Sequence, residues 1–295
     1  MSKKPSYRIH DGFRMPLGFP PEGFQSARHY APDAGDIFVA TYPKCGTTWV
    51  QYIVWLLVRQ RPIMGDEKLT TLFPHLEEVG ADAVAALPST RLIKTHLPFS
   101  MAPYSPAAKY ILVVRNPFDC AVSFYHHTRG FPRHYRFADG DFKTFIECFI
   151  AGEVDFGDYF DHLVPWVEAA TRDNVLLVRY ESLRADAASG IRQIANFLGG
   201  VAAELAADSD ALDWVVAESD IDSMRRRQSR WSSPRPREIP FVRRGSVGDW
   251  RDMFTAADAA QLAARFDART HGTRAAGLWP KTLATARRLA DSLED

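Results

Sequence analysis

The stretch DIFVATYPKCGTTW, Asp36–Trp49, decides the fold. Asp36–Thr41 is a short β-branched run that enters a Pro/Gly turn, and from Thr47 to Arg59 the chain is apolar on nearly every face, as a buried helix is. A strand, a tight turn and a helix N-terminus make an anion loop. Gly46 lets the backbone close around the anion, free N–H groups of the helix point at it, Lys44 adds a compact charge, and Thr47 and Thr48 add hydroxyls. The order of residues is not that of a Walker A loop, GxxxxGK(S/T), because the lysine precedes the glycine. Taken alone, a Lys-Gly-Thr-Thr turn reads first as a helix-capping turn with a surface lysine.

Outward from this stretch the strand–helix alternation continues. Arg91–Thr95 predicts a strand, and Tyr110–Val114 (YILVV) is a continuous apolar run of the kind found in parallel strands covered on both faces. Asn116-Pro117 then supplies a cap residue and a proline at the first helical position, predicting a helix from Pro117 to about His127. Val175–Val178 predicts a further strand, with helices over Ala188–Leu198, Ala202–Glu218 and Ala256–Ala268. Repeated units of this kind define an α/β fold with a central parallel sheet flanked by helices, whose ligands sit at the carboxyl ends of the strands. At 295 residues, with 46% hydrophobic and 24% charged residues and no internal repeat or linker, the chain is expected to form one domain, 1–295. The long Pro- and Arg-bearing segment Gln228–Gly248 is expected to be a mobile lid over a site.

Two further segments carry cations at strand ends or in that lid. Arg115 follows the Tyr110–Val114 strand where a metal-dependent nucleotide kinase would carry an acidic magnesium ligand. A guanidinium there suits a phosphate, with Ser123 able to donate a hydroxyl to the same group; a structural salt bridge fits a strand-end arginine equally well. Phe241-Val242-Arg243-Arg244-Gly245 and Gly248-Asp249-Trp250 add charge beside a glycine that permits close backbone approach, against the alternative of a solvated arginine face.

Together these segments resemble the cytosolic sulfotransferase family and its bacterial relatives. The family's phosphosulfate loop, TYPKSGTTW, is matched at Thr41–Trp49 except that Cys45 replaces serine, and its RKGxxGDW segment is similar to Arg243–Trp250 with Arg244 in place of lysine. Lys94-Thr95-His96 matches the KTH pattern that carries the family's catalytic histidine. Tyr180, and Ser219 with Ile221 as imperfect counterparts of a Thr/Ser-x-Phe pair, resemble its adenine contacts. The resemblance runs from about Ile37 to Phe254 and implies a P-loop-like sulfotransferase fold using 3′-phosphoadenosine 5′-phosphosulfate (PAPS) as donor. The implied donor-binding residues are Lys44, Cys45, Gly46, Thr47, Thr48, Trp49, Arg115, Ser123, Tyr180, Ser219, Ile221, Phe241, Arg243, Arg244 and Gly245. The implied catalytic residues are His96, Lys44 and Lys94. His96 would act as general base on a small-molecule hydroxyl, or an amine, and no metal is required. Residues 1–35 would form a lead-in near the acceptor site. Cys45 puts in doubt any part the usual serine hydroxyl plays in restraining Lys44, since a thiol donates poorly. The family's KTV…E dimer motif meets Arg251, Thr255, Ala256 and Ala260, without its acidic end, so the choice between monomer and homodimer is open.

Bulk properties exclude other partners. With 36 basic and 36 acidic residues the net charge is zero, which argues against nucleic acid or an anionic membrane, and Arg225, Arg226, Arg227 and Arg230 have no stacking platform beside them. The apolar stretch Trp49–Val58 is too short to span a bilayer, and Met1–Gly12 lacks the apolar core of a signal peptide. Cys45, Cys120 and Cys148, odd in number, read as free thiols, so a cytoplasmic setting is expected. His126 and His127 diverge on a helix and find no ligand at metal spacing, while Phe124–Phe137 either borders an acceptor pocket or is core. The rival readings are a P-loop nucleotide kinase and a non-catalytic adenosine-bisphosphate-binding protein of the same fold.

Overall fold

A strand that is apolar at consecutive positions needs cover on both faces, because its side chains alternate. In the computed structural model, which describes residues 3–232, 235, 236 and 238–291, such strands form the centre of the molecule. A two-stranded hairpin, β1 (Arg8–His10) and β2 (Phe13–Met15), comes first, followed by β3 (Asp36–Thr41), β4 (Arg91–Thr95), β5 (Lys109–Val114) and β6 (Val175–Arg179). The last four make one sheet in the order β4-β3-β5-β6, every pairing parallel. Among the helices beside it are α1 (Thr47–Arg59), α2 (Pro117–Gly130), α3 (Tyr159–Ala169), α4 (Ala187–Leu198), α5 (Ser209–Ser219) and α6 (Ala256–Thr270).

The period of two sorts the core. Phe38 and Ala40 of β3 and Tyr110, Leu112 and Val114 of β5 pack on one face with residues of α2, α3 and α6. Ile37 and Val39, with Ile111 and Val113, pack on the other face with residues of α1, α4 and α5. From β3 the chain steps to β4 on one side, then crosses to β5 on the other, so the sheet changes direction between β3 and β5. A crevice opens where such a reversal falls, at the carboxyl ends of the strands. The turn Tyr42–Gly46 and Arg115 stand at those two ends.

The strands expected from sequence coincide with β3 and β4 and differ by one residue for β5 and β6. The single helix expected over Ala202–Glu218 is two helices, Gly200–Ala207 and α5. The break is local: Asp208 takes extended backbone angles, and its carboxylate accepts from the amides of Asp210 and Ala211, capping α5. The segment Gln228–Gly248 has one 3-10 turn, Gln228–Arg230, and otherwise no helix or strand among the described residues; Ser233, Pro234 and Arg237 of that segment lie outside them, as do the ends of the range 1–295. No helix among the described residues is long and apolar enough to cross a membrane.

Candidate functional site

The turn after β3 is built around two residues with left-handed backbone. Lys44 has φ 69° and Gly46 φ 101°, and no side chain caps the N-terminus of α1 that follows. Thr47 and Thr48, in its first turn, line a cavity of about 350 Å³ with Gly46 and Lys44. The uncapped amides and the helix dipole make this end favourable for an anion. A Cβ on Gly46 would stand 2.7 Å from Cδ2 of Tyr180, closer than van der Waals contact allows, in a conformation that side chains disfavour. Gly46→Ala should therefore weaken binding of an anion such as adenosine 3′,5′-bisphosphate (PAP) at least tenfold, read by calorimetry, with the sheet retained by circular dichroism; unchanged affinity would show that the turn yields without cost.

Arg115, at the end of β5, is buried and makes no ion pair with a described carboxylate. Its guanidinium donates to the carbonyls of Lys44 (3.3 Å) and Ser246 (3.1 Å) and stacks on Tyr180 at 4.4 Å, while Nε has no hydrogen-bond partner among the described residues. Asn116 caps α2, which carries Ser123 into the same cavity wall. Asp119, on the first turn of α2, accepts from the amides of Gly248 (2.8 Å) and Trp250 (3.2 Å), and Tyr180 Oη donates to the Gly245 carbonyl (3.0 Å). These contacts hold residues 245–250 against the crevice, so Phe241, Arg243, Arg244 and Gly245 reach the cavity wall, as do Trp49, Tyr180 and Ile221.

The far end of the cavity is formed by residues after β4. His96 is buried; its Nδ1 lies 2.7 Å from the Thr41 carbonyl and 3.1 Å from Thr41 Oγ1. A carbonyl only accepts, so Nδ1 carries the proton and Nε2 keeps its lone pair. Burial first, then Lys94 and His75, hold the ring's pKa well below its ordinary value, which keeps it neutral. Glu77, fully buried, fixes this loop by accepting from Thr95 Oγ1 (2.5 Å) and from the amides of His96 (2.7 Å) and Leu97 (2.9 Å). Its second oxygen stands 3.0 Å from Nε2 of His75, at ion-pair distance but without hydrogen-bond alignment. Lys94 and His75 line the cavity beside His96, and Pro16 and Phe19 from the N-terminal segment complete this wall.

Lys44 joins the two ends. Its ammonium lies 3.4 Å from His127 Nδ1 and 4.6 Å from the centre of the Phe241 ring. Enclosure in the cavity wall, then the charges of Arg235, Lys94 and Arg115, push its pKa down to about 7. His127, Phe131, His134 and Tyr135 face the same space, whereas His126 turns away to a second cavity, so the adjacent histidines diverge as expected. The described residues include no group of three or more His, Cys, Asp or Glu side chains arranged to hold a metal ion.

The structure thus brings Lys44, Lys94, His96, Arg115 and the expected donor residues to one cavity, with two exceptions. The Cys45 side chain is buried beneath the turn, 3.8 Å from Cys120 Sγ, and does not line the cavity; a serine hydroxyl here would point the same way. Ser219 is buried with its hydroxyl donating back to the Val215 carbonyl (2.7 Å), so it too is absent from the wall. His75, Glu77 and Asp155 were not singled out from sequence, and nothing in their spacing marks them; Tyr135 lies in the stretch Phe124–Phe137, four of whose residues, His127, Phe131, His134 and Tyr135, line the cavity.

Comparison with known proteins agrees with this geometry. Residues 34–274 match the family described as Sulfotransferase domain. Mouse (Mus musculus) Sulfotransferase 2B1 is 32% identical over 292 residues, 91% of this chain and 81% of the relative. Rabbit (Oryctolagus cuniculus) Sulfotransferase 1C2 is 31% identical over 245 residues, 77% of this chain and 80% of its own. Among solved structures, mouse sulfotransferase SULT7A1 complexed with PAP superposes with a TM-score of 0.72 at 22% identity, covering 97% of this chain and 99% of that one. Retinol dehydratase in complex with androsterone and PAP gives 0.77 at 21% identity, covering 92% and 91%. The chain belongs to the sulfotransferase family, and its reaction is sulfuryl transfer. The nucleotide-kinase alternative is not favoured.

Proposed function

We propose that the chain transfers the sulfuryl group of PAPS to a hydroxyl of a small-molecule acceptor, with His96 as general base and Lys44 at the leaving phosphate. One observation carries the assignment: Lys44, Arg115 and His96, from the ends of three adjacent parallel strands, line a single cavity. The residues present fit the donor. Arg115 offers a buried Nε with no hydrogen-bond partner among the described residues, the α1 N-terminus is uncapped, and Gly46 and Gly245 let Tyr180 and Ile221 pack against the turn and the 241–245 segment where a Cβ would collide with them. On this reading Arg115, Ser123, Arg243 and Arg244 hold the 3′-phosphate, with Gly245 letting the backbone approach it, and Trp49, Tyr180, Ile221 and Phe241 flank the base. Gly46, Thr47 and Thr48 hold the phosphosulfate.

The donor supplies the sulfuryl group; positioning and charge fall to the protein. His96 Nε2 takes the acceptor's hydroxyl proton as that oxygen bonds to sulfur and the bond from sulfur to the phosphate oxygen breaks. Lys44 stabilises the charge arriving on that phosphate oxygen, and Lys94 keeps His96 neutral until the proton moves. The lead-in, through Pro16 and Phe19, borders the acceptor, and Phe241–Gly245 of the 228–248 segment cover the donor.

Labelled PAPS offered with a panel of phenols, alcohols and amines tests the function: label transferred to an acceptor supports it, whereas tight PAP binding with no transfer to any member would favour the non-catalytic alternative. Lys44 adds a pH signature. Its pKa of about 7 in the unliganded protein leaves it largely neutral at pH 8, and anionic phosphates favour the charged form. PAP binding at pH 8 should take up a proton, and affinity should fall as pH rises through the 7–9 range. Calorimetry in two buffers of different ionisation enthalpy measures this; equal heats would place Lys44 away from the phosphates.

A further inference from the structure

The wall between Lys44 and the aromatic end of the cavity holds a carboxylate that the sulfuryl-transfer reading leaves unused. Asp155 is 1% exposed and lines the cavity. Its Oδ2 accepts from Tyr135 Oη at 2.8 Å, and its Oδ1 is buried with no hydrogen-bond partner among the described residues. A polar contact path runs back from it: Tyr135 Oη lies 3.5 Å from His127 Nε2, and His127 Nδ1 lies 3.4 Å from Lys44 Nζ. In the other direction the next residue, Phe156, packs edge-on against His96 with ring centres 5.0 Å apart. Asp155 therefore stands on the acceptor side, within one residue of the ring that contacts the base.

A buried carboxylate oxygen with no donor is costly, and native proteins tolerate one where a ligand completes it. Burial pushes the Asp155 pKa up to about 7, against the opposing hydrogen bond from Tyr135 and the pull of its own backbone amide. Around it the cavity is aromatic, with Phe19, Phe131, Phe156 and Tyr135 in its wall. An acceptor made only of apolar surface would leave Oδ1 unsatisfied.

We propose that the acceptor is bifunctional: besides the hydroxyl that faces His96, it carries a second N–H or O–H group that donates to Asp155 Oδ1. The inference rests on the PAPS-dependent reading and makes Asp155 a specificity residue, with Tyr135 and His127 holding it in place. An amine and a hydroxyl would both satisfy the oxygen, and substitution separates them. A cationic amine needs the charge of the carboxylate, whereas a hydroxyl needs only an acceptor oxygen.

The aromatic wall makes a phenol scaffold the apt probe. Binding of 4-ethylphenol, tyramine and 4-(2-hydroxyethyl)phenol to the PAP-loaded protein is measured by calorimetry for the unmodified chain, Asp155→Asn and Asp155→Leu. At least one polar phenol should bind tenfold or more tightly than 4-ethylphenol. If the group is an amine, the tyramine preference disappears in both variants; if a hydroxyl, the preference for 4-(2-hydroxyethyl)phenol survives in Asp155→Asn and disappears in Asp155→Leu. The 4-ethylphenol affinity should hold or rise in Asp155→Leu. PAP binding to each variant reports that the fold and donor end are intact, and should the leucine variant fail to fold, loss of the tyramine preference in the near-isosteric asparagine variant carries the amine case. For the hydroxyl case, Asp155→Ala serves in place of the leucine variant and should abolish the preference, since it too removes the accepting oxygen. Absence of any preference in the unmodified chain with PAP bound, or a preference indifferent to all three substitutions, overturns the inference. If PAP itself does not bind, the donor reading fails instead, and this inference with it.

Discussion

His96→Ala should lower turnover roughly 10²–10⁴-fold, the usual contribution of a general base, with PAP affinity little changed. The expectation follows from how the ring is held. Its Nδ1–H is committed to the Thr41 carbonyl at 2.7 Å, which leaves Nε2 as the only ring nitrogen able to receive a proton. The depressed pKa keeps that nitrogen unprotonated through the neutral range, so the loss in the variant should be nearly the same at pH 6.5 and pH 8. His96→Gln fills similar space without a basic nitrogen and should be as impaired as alanine. Turnover within a few-fold of the parent in either variant would remove His96 as the base. Because Glu77 binds the backbone amides of His96 and Leu97 rather than the ring, the loop should survive the substitution, and thermal stability should change far less than rate.

Lys44→Ala should damage both binding and rate. Removal of one preorganised charge or donor from a water-poor site typically costs about 10²–10³-fold in turnover. PAP affinity should fall as well, because on the proposed reading Lys44 meets phosphate in the ground state and in the transition state alike. Lys44→Arg restores charge but not shape: a wider planar fork replaces a compact point charge that lies 3.4 Å from His127 Nδ1, so rescue should be partial for binding and poor for rate. Normal PAP affinity together with normal turnover in Lys44→Ala would take the lysine out of the mechanism. The proton uptake on PAP binding should vanish in the same variant.

The donor half of the site is legible in the sequence because its residues sit where local rules apply. A glycine at positive φ, a lysine before it, an uncapped helix and an arginine directly after an apolar strand each leave a mark within a few positions, and parallel register then brings Lys44 and Arg115 together. Strand boundaries came within one residue for the same reason, since a continuous apolar run ends where the backbone turns. The imperfect match at Ser219 was less informative: a serine near the C-terminus of a helix can bond its own preceding turn, and this one does. The acceptor half left no such marks. His75 and Asp155 lie in segments without periodicity, 80 positions apart, and face one cavity only because His75 is bridged to Lys94 of β4 and the turn before α3 converges on the same space. His127 was visible as one of an adjacent pair, but not which member would look inward.

Arg115 grips the Ser246 carbonyl, Tyr180 the Gly245 carbonyl, and Asp119 the amides of Gly248 and Trp250. The rim of the cavity is therefore a clasp whose tongue comes from the last fifth of the chain and whose buckle is laid down long before. During synthesis the sheet can be complete while the clasp is still open, so a product truncated before Phe241 would carry every strand yet lack the means to shut around a nucleotide.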